Sequence, residues 1–134
     1  MTVKKKRSKK VFIICPVRNV DVVTKRIIAE YVQYLEHQVG AKVHWPSRDT
    51  DQNDSTGLYI CEQNREAIFS ADEIHIWYDP TSQGTIFDLG MLFAFRRSMK
   101  KKKIILINPL HLAEARTAHK SFANMLMALS MSKQ

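Results

Sequence analysis

The sequence predicts a single α/β domain, Rossmann-like, in which a mostly parallel sheet of four to five strands carries helices on both faces. Short β-branched apolar runs alternate along the chain with longer segments whose apolar residues recur at helical spacing. The short runs are apolar at consecutive positions, which is typical of parallel strands that are covered on both faces. A chain of 134 residues fits one domain of this kind.

The first half of the chain predicts two strands and two helices. Residues 11–15 (Val-Phe-Ile-Ile-Cys) predict a buried strand, and residues 21–39 predict a helix because their apolar side chains recur three and four positions apart. Residues 42–45 predict a second strand that stops before a proline. The polar, turn-rich residues 47–57 predict a loop, and residues 58–70 predict the second helix.

The second half continues the same alternation. Residues 73–78 predict a strand, and residues 79–84 predict a loop because they contain Asp-Pro and Ser-Gln-Gly. Residues 86–99 predict a helix with a strongly apolar face, and residues 104–107 predict a near-continuous apolar strand. We expect one last helix over residues 110–130.

Residues 1–10 are expected to form a basic flexible tail, and residues 11–134 the domain. Six of the 21 lysines and arginines lie in the tail, which leaves 15 in the domain against 13 acidic residues, so the net charge of +8 comes mainly from the tail. Such a tail is typical of a solvated chain end, and contact with nucleic acid is the second interpretation. No helix-turn-helix, zinc-finger or RNA-recognition pattern favours that second interpretation.

Several classes of protein and of site are not expected. No stretch approaches the roughly 18 apolar residues of a membrane span, and no signal-peptide pattern is present. Cys15 and Cys61 lack ligand or disulfide spacing, so we expect free thiols in a reducing, cytoplasmic compartment. The histidines lack metal-ligand spacing, and we expect neither metal nor cofactor. His75 alternates with isoleucines and is expected to be a hydrogen-bonded core residue.

The ligand of a parallel α/β sheet sits at the carboxyl ends of the strands. This rule places residues 16–19, residues 46–48, residues 79–84 and Asn108 along one rim. We therefore expect the functional residues on this rim and not in the core.

Residues 82–90 (Ser-Gln-Gly-Thr-Ile-Phe-Asp-Leu-Gly) are the most informative segment. Gly84 lets the backbone approach a ligand, and the helix that begins there offers unpaired amide donors to an anion. Ser82 adds a hydroxyl donor, and Asp88 faces the same rim one turn into the helix. Spacing alone leaves a second interpretation of Asp88 open, that of a polar side chain that compensates the helix N-terminus.

Three further polar residues have a functional and a structural interpretation. Arg18 follows the first strand within Cys-Pro-Val-Arg-Asn, where an arginine suits a phosphate or carboxylate ligand; the alternative is a surface salt bridge. Glu62 and Asn64 lie on the helix before the third strand, where the alternative is a solvated helix surface.

Taken together, these residues resemble the nucleoside 2-deoxyribosyltransferase superfamily, above all its small branch of 2'-deoxynucleoside 5'-phosphate N-hydrolases and related pyrimidine-nucleotide N-glycosidases. The segment Ile-Cys-Glu-Gln-Asn-Arg-Glu-Ala-Ile (60–68), the Ser-Ala-Asp that follows (70–72) and the motif at 82–90 are in step with that branch without a gap. The resemblance covers about residues 11–108 and includes the Cys-Pro-Val-Arg end of the first strand.

The resemblance implies a catalytic pair. Asp88 stands where the family has the nucleophile that attacks the anomeric carbon of the sugar, and Asn64 stands where an acid orients the sugar or assists the leaving base. Both positions depart from the family, which has glutamate at the first and aspartate at the second. The departures leave three outcomes open: slow hydrolysis, a reshaped site with another substrate, or a nucleotide-binding protein without turnover.

The resemblance also implies how substrate is held. Ser82 and Arg18 match the serine and arginine that bind the 5'-phosphate, and Gly84 and Thr85 are expected to offer backbone donors to it. In the family, a C-terminal residue of a neighbouring subunit completes each site, which implies a homodimer. The further substrate-binding positions are Pro16, Asn108 and Ser121, with Asn124 as the alternative to the last.

The sequence therefore predicts an enzyme that hydrolyses the base–sugar bond of a nucleoside 5'-monophosphate. The alternative is a nucleotide-binding or sensor protein of the same fold. Four aromatic residues are candidates to stack on the base. They are Trp45, Tyr59, Trp77 and Tyr78.

Overall fold

The computed structural model describes residues 7–97, 101–115 and 119–131. Its centre is a four-stranded, all-parallel sheet with the order β2-β1-β3-β4. The strands are β1 (Lys10–Ile14), β2 (Lys42–His44), β3 (Glu73–Ile76) and β4 (Lys103–Leu106). The predicted α/β class with a parallel sheet is confirmed.

The described helices surround this sheet and follow the predicted alternation. They are α1 (Val22–Tyr34), α2 (Pro46–Asp49), α3 (Leu58–Ser70), α4 (Gln83–Phe95), α5 (Pro109–Ala115) and α6 (Phe122–Met131). Asp21 caps α1 by accepting from the Thr24 amide at 2.7 Å. A π-helical turn (Leu35–Val39) continues α1 until Gly40, whose φ of +76° ends it.

Both faces of the sheet are covered, but unequally. One face packs against α3, α4, α5 and α6, around a core that includes Phe12, Ile74 and Leu126. The other face packs against α1, around Val11 and Ile28. Alternate residues of each strand point to opposite faces, which explains why the strands are apolar at consecutive positions.

Three predicted boundaries differ from the structure. The predicted loop 47–57 begins with the single turn α2, which a proline at its first position favours. The predicted helix 110–130 is wrong as a single helix, because residues 119–121 are not helical and separate α5 from α6. The predicted helix 86–99 begins three residues earlier, because α4 starts at Gln83; its predicted end, at residue 99, lies outside the described residues.

The described part of the basic tail contacts the domain. Strand β1 begins at Lys10, the Arg7 guanidinium donates to Asp72 at 3.0 Å, and Lys9 pairs with Glu73 at 2.9 Å. Residues 1–6 lie outside the described ranges. None of the helices in the described ranges is long and apolar enough to cross a bilayer.

His75 on β3 is a hydrogen-bonded core residue, as predicted. Its Nε2 lies 2.9 Å from a Glu73 carboxylate oxygen, and its Nδ1 lies 2.5 Å from the Tyr31 hydroxyl on α1. Burial lowers the pKa of His75, and Glu73 opposes that shift. A neutral ring that donates to Glu73 and accepts from Tyr31 satisfies all three groups.

Candidate functional site

The strand order creates a crevice between the carboxyl ends of β1 and β3. The chain leaves β1 toward β2 on one side and later returns to β3 on the other side, so the loops after β1 and β3 diverge there. Such switch points are where open α/β sheets bind ligands. The loop after β1 contains Arg18 and Asn19, and Asn19 has a φ of +57°, a conformation that asparagine tolerates better than most residues. The loop after β3 leads into α4 through Ser82.

Asp88 lies on α4 and is buried, with 7% of its surface exposed. Burial raises the pKa of its carboxyl to about 7, and hydrogen bonding by the Asn64 amide opposes the shift. Burial raises the pKa of two thiols, that of Cys15 directly after β1 and that of Cys61 on α3, and the charge of Asp88 adds to both shifts. Elements β1, α3 and α4 thus bring one carboxyl, one amide and two thiols together.

Asn64 is also buried and adjoins Asp88, so α3 and α4 bring these two residues close together. Oδ1 of Asn64 accepts from the Thr50 hydroxyl at 2.7 Å. Thr50 Oγ1 lies in turn 2.8 Å from Nε2 of His44 on β2. Glu62, two residues before Asn64, is exposed. The alternative of a solvated helix surface therefore applies to Glu62 and not to Asn64.

The first turn of α4 borders the crevice with polar groups. Ser82 is the N-cap, and its Oγ accepts from the Thr85 amide at 3.1 Å, so this amide already has a partner. The Ser82 hydroxyl keeps its proton to donate. Gly84 is exposed, and a Cβ there would meet only Ser82 Oγ, at 4.0 Å. Thr85 is fully buried, and its Oγ1 has no partner among the described residues.

Arg18 is exposed on the loop after β1. Within the described ranges no acidic side chain pairs with it, so the alternative of a surface salt bridge is not realised there. Its guanidinium can therefore bind an anion without first breaking an ion pair.

The other predicted substrate-binding residues have structural contacts. Asn108 is buried, and its side chain both accepts from the Tyr78 amide and donates to the Tyr78 carbonyl, each at 2.8 Å. This pairing extends the contact between the ends of β3 and β4. Ser121 precedes α6 and accepts from the Asn124 amide at 3.0 Å. Pro16 is buried directly after the end of β1.

The structure separates the four aromatic candidates. Trp77 and Tyr78 are buried, with 8% and 5% exposed, and Tyr59 is 54% exposed. Trp45 is half-buried, and its indole lies against the Cys15 thiol. The buried Nε1 of Trp45 has no hydrogen-bond partner among the described residues. Trp45 is thus the aromatic residue that adjoins the group around Asp88.

Two cavities lie at the opposite edge of the sheet. One has a volume of about 460 Å³ and is lined by the starts of β3 and β4, and the other, of about 340 Å³, includes the start of β1. The second cavity also reaches His44 at the end of β2 and Asp49 on α2. Within the described parts of the chain, no three His, Cys, Asp or Glu side chains are arranged to hold a metal ion.

Four residues of the Asp88 group were not predicted as site residues. They are Cys15, Cys61, Thr50 and His44. Cys61 had a usable signal, because it lies three residues before Asn64 and hence on the same face of α3. Thr50 had no such signal, because its segment contains many polar residues and nothing in the sequence distinguishes Thr50 from them.

No protein-family model matches the chain, and no curated protein matches it significantly. The resemblance to the deoxyribosyltransferase superfamily therefore depends on the sequence motifs at residues 60–72 and 82–90.

Proposed function

We propose that this protein is a nucleoside 5'-monophosphate N-glycosidase, which hydrolyses the bond between base and sugar. The single observation that supports it best is the buried Asp88 carboxyl beside Asn64 at the crevice between β1 and β3. A buried carboxyl with a strongly perturbed pKa at a ligand-binding crevice is typical of a catalytic group. The motif that contains Asp88 indicates the reaction.

The phosphate is proposed to lie between Arg18 and the start of α4. Arg18 supplies an unpaired guanidinium, and Ser82 supplies a hydroxyl proton. The exposed backbone at Gly84 supplies an amide at the positive end of a 13-residue helix. The Thr85 amide, which was expected to donate as well, is bonded to Ser82 and would have to leave that partner first.

Asp88 is proposed to act as the nucleophile. One of its carboxylate oxygens attacks the anomeric carbon, the bond from that carbon to the base nitrogen breaks, and the electron pair stays on the base, which takes a proton from solvent. Water then attacks the anomeric carbon, gives up a proton to solvent, and releases the sugar phosphate and the Asp88 carboxylate. The anion also stabilises the oxocarbenium-like transition state. Asn64 orients the ribose and the carboxylate, since an amide holds no transferable proton at neutral pH.

The reaction requires Asp88 in its ionised form. With a pKa of about 7, about half of the Asp88 side chains are ionised at pH 7 and about a tenth at pH 6. Base release should therefore rise about tenfold from pH 5 to pH 6 and level off above pH 8.

The test is a chromatographic screen for free base. The protein is incubated with ribo- and deoxyribonucleoside 5'-monophosphates and with the matching nucleosides, and Asp88→Asn is the isosteric control. We expect base release from at least one monophosphate that falls by at least 100-fold in Asp88→Asn. Turnover that is unchanged in this variant would refute the proposed mechanism.

A pair of arginine variants tests the proposed phosphate-binding part of the site. Arg18→Ala should raise the KM for monophosphates about tenfold or more, as expected for loss of a charged hydrogen bond, and leave free nucleosides unaffected. Arg65→Ala is the matched control, because Arg65 is exposed on α3 and pairs only with the adjacent Glu66. Equal effects of the two substitutions would show that Arg18 does not hold the phosphate.

A nucleotide-binding protein without turnover is the second candidate. Asn64 favours it, because the amide leaves Asp88 without a proton-transferring partner at this position. Calorimetric titration with the same monophosphates distinguishes the two candidates. Binding that depends on Arg18, with no release of base from any compound, would identify the binding protein.

The proposed partner is a second copy of the chain, whose Ser121 region completes each site. Light scattering after gel filtration measures the mass of the assembly, for which we expect twice the 15.5 kDa of one chain. Mixing an Asp88→Asn subunit with a Ser121→Ala subunit should restore some turnover, since one site of each mixed dimer then has both residues. A monomeric mass, or no restoration in a mixed dimer, would refute shared sites.

A further inference from the structure

Hydrogen-bonding side chains connect β2 with Asn64, whose amide adjoins Asp88. The hydrogen-bond chain begins at His44 Nε2, which lies 2.8 Å from Thr50 Oγ1, and continues from Thr50 to Asn64 Oδ1 at 2.7 Å. The amide of Asn64 then faces Asp88. Thr50 and Asn64 are 4% and 6% exposed, so water does not readily replace these contacts.

Counting protons allows two directions for this chain, and each requires a definite arrangement of the Asn64 amide. The Thr50 hydroxyl has one proton, and if it donates that proton to Asn64 Oδ1, then its oxygen accepts from His44 Nε2–H. With Oδ1 toward Thr50, the NH₂ group of Asn64 points toward Asp88. An ionised carboxylate, which only accepts, fits this direction.

The opposite direction is also self-consistent, but it needs the other form of Asp88. A protonated Asp88 would donate to Asn64 Oδ1, the Asn64 NH₂ group would donate to Thr50, and Thr50 would donate to His44 Nε2. In this second arrangement the Oδ1 and NH₂ groups of Asn64 have exchanged places, and His44 carries its proton on Nδ1. The ionisation of Asp88 and the tautomer of His44 are therefore coupled through two side chains.

We propose that Thr50 and His44 are positioning residues that hold the Asn64 amide with its NH₂ group toward Asp88 and so stabilise the ionised carboxylate. Burial lowers the pKa of His44 below its usual 6.5, with Asp49 opposing the shift and Arg48 adding to it, so at pH 7 and above the ring is neutral and its tautomer can respond. The consequence for turnover rests on the proposed function, but the hydrogen-bond chain itself does not.

The two thiols that face Asp88 do not determine whether its carboxyl is ionised. Cys15, directly after β1, and Cys61 on α3 have raised pKa values, that of Cys15 at about 12, so both thiols are protonated at neutral pH. Neither changes its charge in the range in which Asp88 titrates.

The first experiment titrates the Asp88 carboxyl by carbon NMR, with its signal assigned by its loss in Asp88→Asn. Thr50→Val removes the hydroxyl at nearly constant volume, and Thr50→Ser keeps it. We expect the midpoint for Asp88 to rise by about one pH unit in Thr50→Val, the effect of one hydrogen bond, and to stay at the wild-type value in Thr50→Ser. Equal midpoints for wild type, Thr50→Val and Thr50→Ser would overturn the proposal.

A double variant shows whether Thr50 acts through Asn64. Asn64→Ala should itself raise the midpoint, because the NH₂ donor is lost, and Thr50→Val should add nothing in that background. A further rise of the same size would show that Thr50 acts on Asp88 by another route and would overturn the positioning role.

Nitrogen NMR of the His44 ring tests the other end of the chain. We expect the Nε2–H tautomer at pH 8, where Asp88 is ionised, and a larger share of Nδ1–H at pH 6, changing with the Asp88 midpoint. The Nδ1–H tautomer at pH 8 would overturn the proposed direction. Both titrations need no turnover, so absence of base release would refute the proposed function and leave this inference standing.

Discussion

The stability of the Asp88→Asn variant is the clearest measure of how strongly the fold opposes the Asp88 charge. The carboxyl is buried, and its pKa rises from 3.8 to about 7 on folding. The folded chain therefore keeps this proton over a pH range in which the unfolded chain has lost it. In that range, a rise in pH lowers the free energy of unfolding. Asparagine has nearly the same shape and does not ionise.

The size of the effect follows from the two pKa values. Between pH 5 and pH 8 the unfolded carboxyl is ionised throughout, whereas the folded one loses its proton within that interval. At 1.36 kcal/mol per pH unit, ionisation of Asp88 lowers the free energy of unfolding by about 2.5 kcal/mol between these limits. Most of the loss occurs below pH 7, and the curve is flat above pH 8.

The assay is urea unfolding followed by tryptophan fluorescence at pH 5 and pH 8. We expect Asp88→Asn to be more stable than wild type by about 1.6 kcal/mol at pH 5 and by about 4 kcal/mol at pH 8, so that the difference between their urea midpoints grows by about 1 M between the two pH values. Groups that the substitution leaves unchanged contribute equally to both proteins and cancel in the comparison. Asp51→Asn, the same chemical change in an exposed loop, is the matched control and should follow wild type at both pH values.

Two results would refute this reasoning. A variant that is less stable than wild type by the same amount at both pH values would mean that Asp88 contributes hydrogen bonds to the fold and no buried charge. A variant that matches wild type at both would mean that water reaches the carboxyl freely. The expected result identifies a residue that lowers stability at neutral pH, which is typical of a group retained for function.

Three other substitutions test contacts described above. Tyr31→Phe removes the partner of His75 Nδ1 and should lower the free energy of unfolding by about 1–3 kcal/mol in urea; no change would mean that water replaces the hydroxyl. Asn108→Leu leaves the backbone groups of Tyr78 unpaired and should lower it by about 2 kcal/mol, and a neutral result would contradict a structural role. Ser82→Asp keeps a capping side chain for α4, so the free energy of unfolding should stay the same. Its negative charge should weaken monophosphate binding at least tenfold in calorimetry. Unchanged binding would place the phosphate elsewhere.

The strands could be predicted because the consecutive apolar residues of each one indicate burial on both faces, but the ends of the strands could not. The apolar run at 73–78 predicts a strand to Tyr78, whereas β3 ends at Ile76. Beyond that point the Asn108 side chain pairs with the Tyr78 backbone and takes the place of a strand partner. The two residues are thirty positions apart, so no local pattern contains this contact. The break between α5 and α6 was missed for a similar reason, since apolar residues continue at helical spacing on both sides of it.

The candidate site also contains residues that a local motif predicts and residues that only long-range contacts bring there. Asp88 and Asn64 could be predicted as a pair because each sits at a fixed position of a recognisable helical motif. Thr50 could not, since nothing in a polar loop distinguishes the one hydroxyl that the fold turns inward. That hydroxyl connects Asn64 to β2, and the direction of its single proton decides whether the amide presents a donor or an acceptor to Asp88. The motif thus supplies the chemical groups, and the long-range contacts of the fold set the form in which the carboxyl is held.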